Sequence, residues 1–216
     1  MVTTHATWGP DRLSELKFES PRYNAEISAG SLMPLECKRI AALLLISPDD
    51  AAWIDAIEVQ NILQKKTPAT ARRQATLLRK RLNTLDTQAW KMITERESEV
   101  VIQLLLTGAI KHSQLLGDFI KNVYVTHQRR LEPTIIASDW QEFLIECAHH
   151  DSAVDLWSDS TKAKLLQVII RILVEAKYLE SARTMKLTPR SLHPDVRRYL
   201  LDRNETYVLE CLERAP

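Results

Sequence analysis

"STKAKLLQVIIRILVEAKYL", residues 160–179, sets Leu165, Val168, Ile169, Ile172, Leu173 and Ala176 at steps of three and four. An α-helix turns about 100° per residue, so this spacing gathers the six apolar groups into one stripe. A half-buried strand would alternate apolar and polar residues, and no such run of useful length occurs in the chain.

Helical signals continue on both sides of this segment. Downstream, "LTPRSLHPDVRRYLLDR" predicts a helix led by Pro194 and a short one after it, with Leu187–Leu192 extended. Upstream, "LEPTIIASDW" reads as a connector, and Ser138 or Asp139 caps a helix running through Cys147. Before it come predicted helices over 112–128, with Leu115, Leu116, Phe119, Ile120 and Val123, and over 97–110. Another is capped by Asp86 or Thr87 and carries Trp90 and Ile93. Thr67-Pro68 and Ser47-Pro48-Asp49-Asp50 are two further start signals, and Pro34 sits at a first helical position. The predicted fold class is all-α. Residues 1–20 are polar with no sustained periodicity and read as a loose arm, followed by helical subdomains over 21–95 and 96–216.

Composition agrees with helices. Hydrophobic residues make up 45% and charged residues 26%, while glycine occurs only 4 times. Such a chain can bury a core and is not compositionally disordered. Cys37, Cys147 and Cys211 are far apart and form no C-x-x-C pair, so neither a zinc site nor a disulfide framework follows. The N-terminus lacks an apolar core behind a basic start, and the most apolar run, "VVIQLLLTGAI" (100–110), is too short to span a bilayer. A cytoplasmic protein without a membrane partner is expected.

Charge is unevenly distributed. The formal net charge is +1, yet "KKTPATARRQATLLRKRLNTL" (65–85) holds seven Lys or Arg residues and no acid. As a helix over 68–85, it places Ala71, Ala75, Leu78, Leu82 and Leu85 on one buried stripe. Arg72, Arg73, Thr76, Arg79 and Lys80 gather opposite, Arg81 lies on a flank, and Lys65 and Lys66 precede the helix near its positive end. Soluble helices usually mix charge signs so that i,i+4 pairs form, and the missing acids favour an anionic partner over a merely solvated face. With the preceding helix and turn, the segment has a helix-turn-helix-like outline. Its early residues Arg72, Arg73 and Gln74 would then face bases while lysines hold phosphates.

Other motifs carry less. His149 and His150 point about 100° apart on a helix and do not chelate one ion easily; a helix C-terminus suits their charge. The five tryptophans read as anchors of helix packing. There is no nucleophile elbow, phosphate loop, dinucleotide fingerprint or paired-acid metal motif, so the sequence proposes no catalytic residue, cofactor or metal.

"YNAEISAGSLMPLECKRIAALLL" (23–45), "NILQKKTPATARRQATLLRKRL" (61–82) and "WSDSTKAKLLQVIIRILVEAKYL" (157–179) resemble, in order, the BrxA family of BREX phage-defence systems. The resemblance implies two packed helical bundles similar to the RNA-binding factor NusB. It also implies double-stranded DNA binding, no enzymatic activity, and work beside other BREX components. Two alternatives stay open: an adaptor docking acidic surfaces of those components, and RNA as the ligand. No family motif transfers residue by residue. The candidate nucleic-acid contacts Lys65, Lys66, Arg72, Arg73, Gln74, Thr76, Arg79, Lys80 and Arg81 therefore rest on charge geometry alone.

Overall fold

Residues 22–213 of the computed structural model are described here; the predicted arm over 1–20 lies outside them. The described chain is helical, with α1 over Pro34–Leu45, α2 over Asp50–Ile54, α3 over Pro68–Leu82, α4 over Thr87–Glu95, α5 over Ser98–His112, α6 over Gln114–Phe119 and α7 over Val125–Arg129. They are followed by α8 over Ala137–His150, α9 over Asp159–Glu175, α10 over Pro194–Asp202 and α11 over Thr206–Leu212. Single π-helical turns extend α2 (Asp55–Val59) and join α6 to α7 (Ile120–Tyr124). The helix expected over 112–128 is thus one run with a π turn inside it, bent by 112° from α5 at Ser113. No single described helix is long and apolar enough to cross a membrane.

Most start signals act as capping chemistry predicts. The side chains of Thr67, Asp86 and Ser158 accept N–H groups of Thr70, Ala89 and Thr161, each satisfying a donor that has no partner inside the helix. Two starts shift. Asp49 rather than Ser47 caps α2, accepting from Ala52 at 2.7 Å, and Ser47 is in left-handed backbone with φ 49°. Helix α8 begins at Ala137, and Asp139 reaches back from the first turn to the Ile136 N–H at 2.6 Å. The segment predicted to be extended pairs only at its start: Leu187 N–H donates to the Pro133 carbonyl at 2.8 Å, and Thr134 bridges Lys186. These isolated bridges form no strand among the described residues.

One apolar core runs from Tyr23 to Leu212 across both halves of the sequence. Helix α5 lies at its centre. Val100, Val101, Gln103 through Ile110 are all buried, so this helix is covered on every side, and α1, α3, α4, α6, α10 and α11 pack on it. Gly108 sets the approach of α3: a Cβ there would lie 3.0 Å from the Arg81 carbonyl oxygen, a backbone atom that cannot swing aside. Gly108→Ala is expected to destabilise the fold by about 1–3 kcal/mol through this overpacking, read by denaturant melts.

A second tie joins the first described residues to α11. Asp118 is 4% exposed and accepts hydrogen bonds from Tyr23 Oη and Tyr207 Oη, both at 2.7 Å, and from Arg22 and Gln114, both at 2.9 Å. Burial alone would push its carboxyl up, but the bonds from Tyr207, Tyr23, Arg22 and Gln114 outweigh that and hold it below the ordinary range. The unfolded chain therefore takes up this proton first. The stabilisation is full above the ordinary carboxylate value of about 4 and is lost as pH falls through the folded value. Asp118→Asn should cost about 2–4 kcal/mol at neutral pH. In chemical melts the gap to wild type should narrow as the pH falls from the ordinary carboxylate range through the lowered folded value.

Candidate nucleic-acid interface

The turn into α3 is built by short-range bonds. Asn61, in left-handed backbone with φ 47°, accepts the Lys65 N–H on Oδ1 and donates Nδ2 to the Lys65 carbonyl, both at 2.9 Å. Thr67 then caps the helix, and Pro68 follows at a position whose N–H has no partner inside the helix anyway. The apolar stripe is buried as the spacing predicts: Ala71, Ala75, Leu78, Leu82 and Leu85, with Leu77 beside them.

The structure divides the nine candidate contacts into groups. Lys66 and Arg73 are exposed and make no ion pair among the described residues. Arg79 is half-buried, its guanidinium 4.4 Å from the centroid of the Trp53 ring, which fixes the cation at the surface without neutralising it. Arg72 is exposed but clamped: its Nε and Nη2 donate to the two carboxylate oxygens of Glu58 at 2.7 and 2.6 Å. That bond and its charge hold the Glu58 carboxyl below the usual range. Lys80 Nζ reaches both oxygens of Glu26 at 3.0 and 2.8 Å, and Lys65 Nζ reaches Glu36 at 2.6 Å. Thr76 turns its hydroxyl to the Arg72 carbonyl, and Gln74 is partly buried with Oε1 out of reach of solvent.

Arg81 leaves the set of residues that a ligand can reach. It is 3% exposed, and its Nη1 and Nη2 donate to the carbonyls of Ser31 and Gly30 at 2.5 and 3.0 Å. Burial pulls its pKa down to about 10, which leaves it protonated at neutral pH. The flank position read from the helix angle faces the 30–33 loop instead of water. On the far side of that loop, Glu175 of α9 accepts the N–H groups of Leu32 and Met33 at 2.7 and 3.1 Å. A buried cation thus holds the loop's carbonyls and a carboxylate holds its amides.

This loop positions the 3₁₀ turn Glu26–Ala29 beside α3, leaving a cavity of about 450 Å³ between them. Ala29, Ala69 and Leu77 supply apolar lining, and Arg72, Arg73 and Lys80 supply cations. Sequence reasoning missed the three carboxylates that meet the basic face. Glu58, Glu36 and Glu26 lie 14, 29 and 54 positions from their partners, beyond any helical period.

Elsewhere, all three cysteines are free and buried, and burial pushes their thiols up to about 12. No group of three or more His, Cys, Asp or Glu among the described residues could hold a metal ion. A second cavity of about 340 Å³ is lined by His127, Arg130, Asp139 and Glu142, with His127 Nε2 3.1 Å from Asp139.

The 30–33 loop, α3 and Glu175 all fall within residues 21–204, the span matched by the family model described as BrxA. The chain belongs to the BrxA family. It is 39% identical over 193 residues to a protein of Paramagnetospirillum magneticum named BREX protein BrxA, covering 89% of this chain and 97% of the relative. An Escherichia coli protein of the same name is 32% identical over 188 residues, covering 87% and 88%. A crystal structure of an uncharacterized protein from Magnetospirillum magneticum superposes with a TM-score of 0.83 at 38% identity. It covers 90% of this chain and 100% of that one. That structure therefore shares the helical architecture described above.

The division within α3 has a direct consequence. Arg81→Ala removes a buried donor from two carbonyls and should cost about 2–4 kcal/mol. Arg73→Ala, at an exposed position, should stay within about 0.5 kcal/mol of wild type. Equilibrium unfolding in urea separates the two.

Proposed function

We propose that this chain is a non-catalytic, DNA-binding component of a BREX phage-defence system, and that the outer face of α3 grips the duplex. The observation that carries this reading is the composition of that face. Helix α3 has no acid of its own, and it presents Arg73 and the Trp53-stacked Arg79 toward solvent, with Lys66 just ahead of its first turn. Three uncompensated cations, two on a capped helix and one just before it, suit phosphate contact, because they release condensed counterions without first breaking an internal ion pair. Arg72 and Lys80 extend the face, though each is shared with a carboxylate. The family relatives are named for the BREX system, and the other components of such a system are the natural partners of a DNA-bound subunit.

The binding expected is duplex-wide phosphate contact rather than base reading. Gln74, the residue suited to adenine, is partly buried, and the hydroxyl of Thr76 is engaged with the helix backbone. With three phosphates neutralised, log K should fall with log salt at a slope of about −2.7. Replacing Arg72, Arg73, Arg79 and Lys80 together by Ala should abolish measurable binding of a 20-base-pair duplex at about 0.1 M salt while leaving helicity and melting near wild type. Fluorescence anisotropy with circular dichroism reads both. Undiminished duplex binding by the folded quadruple variant would overturn the assignment, and competition with structured RNA ranks the two nucleic acids.

A further inference from the structure

The carboxylates that face α3 come from two turns that pack on it through buried Ile57 and Ile27. Glu58 lies in the π turn after α2, and Glu26 in the 3₁₀ turn held by the 30–33 loop. Arg72 meets Glu58 through two parallel hydrogen bonds, the fork a phosphate would also use, and the single Lys80 ammonium contacts both oxygens of Glu26. Arg72 and Lys80 are eight residues apart, about 12 Å along the helix, and both line the 450 Å³ groove together with the uncompensated Arg73. Its apolar lining, Ala29, Ala69 and Leu77, suits a sugar, and its cations suit the phosphates on either side.

We infer that this groove seats one sugar–phosphate strand of the duplex, and that Glu58 and Glu26 are affinity-limiting residues whose carboxylates compete with phosphate for Arg72 and Lys80. The inference rests on the DNA-binding reading above and names the residues that set its strength. A phosphate approaching Arg72 meets a cation already satisfied and an acid that remains beside it, so neither counterion release nor attraction is fully realised. Lys80 is held in the same way. His112 Nε2 lies 3.3 Å from Glu26, but burial, with Arg81 and Lys80 nearby, lowers its pKa, so at neutral pH Lys80 is the cation that Glu26 engages. The face is consequently tuned to weak, readily reversed binding at physiological salt.

The test uses the full chain and a fluorescein-labelled 20-base-pair duplex, with Glu58→Gln and Glu26→Gln as variants that keep shape and hydrogen bonding. Each should tighten binding about 2–5-fold at 0.1 M salt, the range expected when one exposed ion pair is relieved. Each should also steepen the salt slope by about 0.9, one additional phosphate neutralised. The gain from Glu58→Gln should vanish in an Arg72→Ala background, and that from Glu26→Gln in a Lys80→Ala background. Glu210→Gln, which removes one negative charge from the Lys121 pair elsewhere on the surface, should leave affinity unchanged. If wild type binds and the two variants match it, or Glu210→Gln gains as much, the carboxylates do not compete and the inference is overturned while DNA binding stands. If neither wild type nor the variants bind duplex, the DNA-binding reading falls and the inference with it.

Discussion

The buried guanidinium of Arg81 is the interaction on which the arrangement around α3 depends. It reaches out of the helix to two carbonyls of the 30–33 loop, while Glu175, from the far end of the sequence, binds two amides of the same loop. A loop packed between helices, with Leu32 fully buried and its neighbours partly so, has peptide groups shielded from water, and each unpaired one would carry a desolvation penalty. Here the polar groups are answered from both sides by opposite charges. The cation stays protonated despite burial, and the loop is locked between α3 and α9. Through that loop the turn bearing Glu26 is brought to the edge of α3, and the groove exists because of it.

Helix α5 supplies the other half of the frame. It is buried from Val100 to Ile110 except for partly exposed Ile102, its buried Gln103 and Thr107 are hydrogen-bonded, and the remaining helices surround it. The absence of a side chain at Gly108 lets α3 come close enough for its Ala and Leu stripe to seat fully. Once that stripe is buried, the opposite face has nowhere to point except solvent or the flanking turns. The basic surface is thus a by-product of core packing in its position, and a product of the acids around it in its strength.

Much of this architecture is legible along the chain because capping and amphipathic periodicity are local. Thr67-Pro68 and Asp86 announce helix starts by chemistry confined to three or four residues, and the stripes at 71–85 and 165–176 identify their buried faces. The shifts at Asp49 and Asp139 are of a few residues, where several capping side chains compete for one turn. The π turn between α6 and α7 left no periodic trace, since one inserted residue per turn barely disturbs an apolar pattern this dense.

Of the candidate contacts, the sequence by itself determined that α3 is helical, which side is buried, and that its outer residues are cationic without an acid among them. Its segments 23–45, 61–82 and 157–179 also carry the resemblance to the family to which the chain belongs. Only the tertiary structure decided that Arg81 turns inward, that Trp53 carries Arg79, and that Glu58, Glu36 and Glu26 each take a cation from the segment. The reason is physical: propensity and periodicity act within a few residues, whereas ion pairs follow distance in space. Partners 14 to 54 positions apart meet where the helices pack around α5.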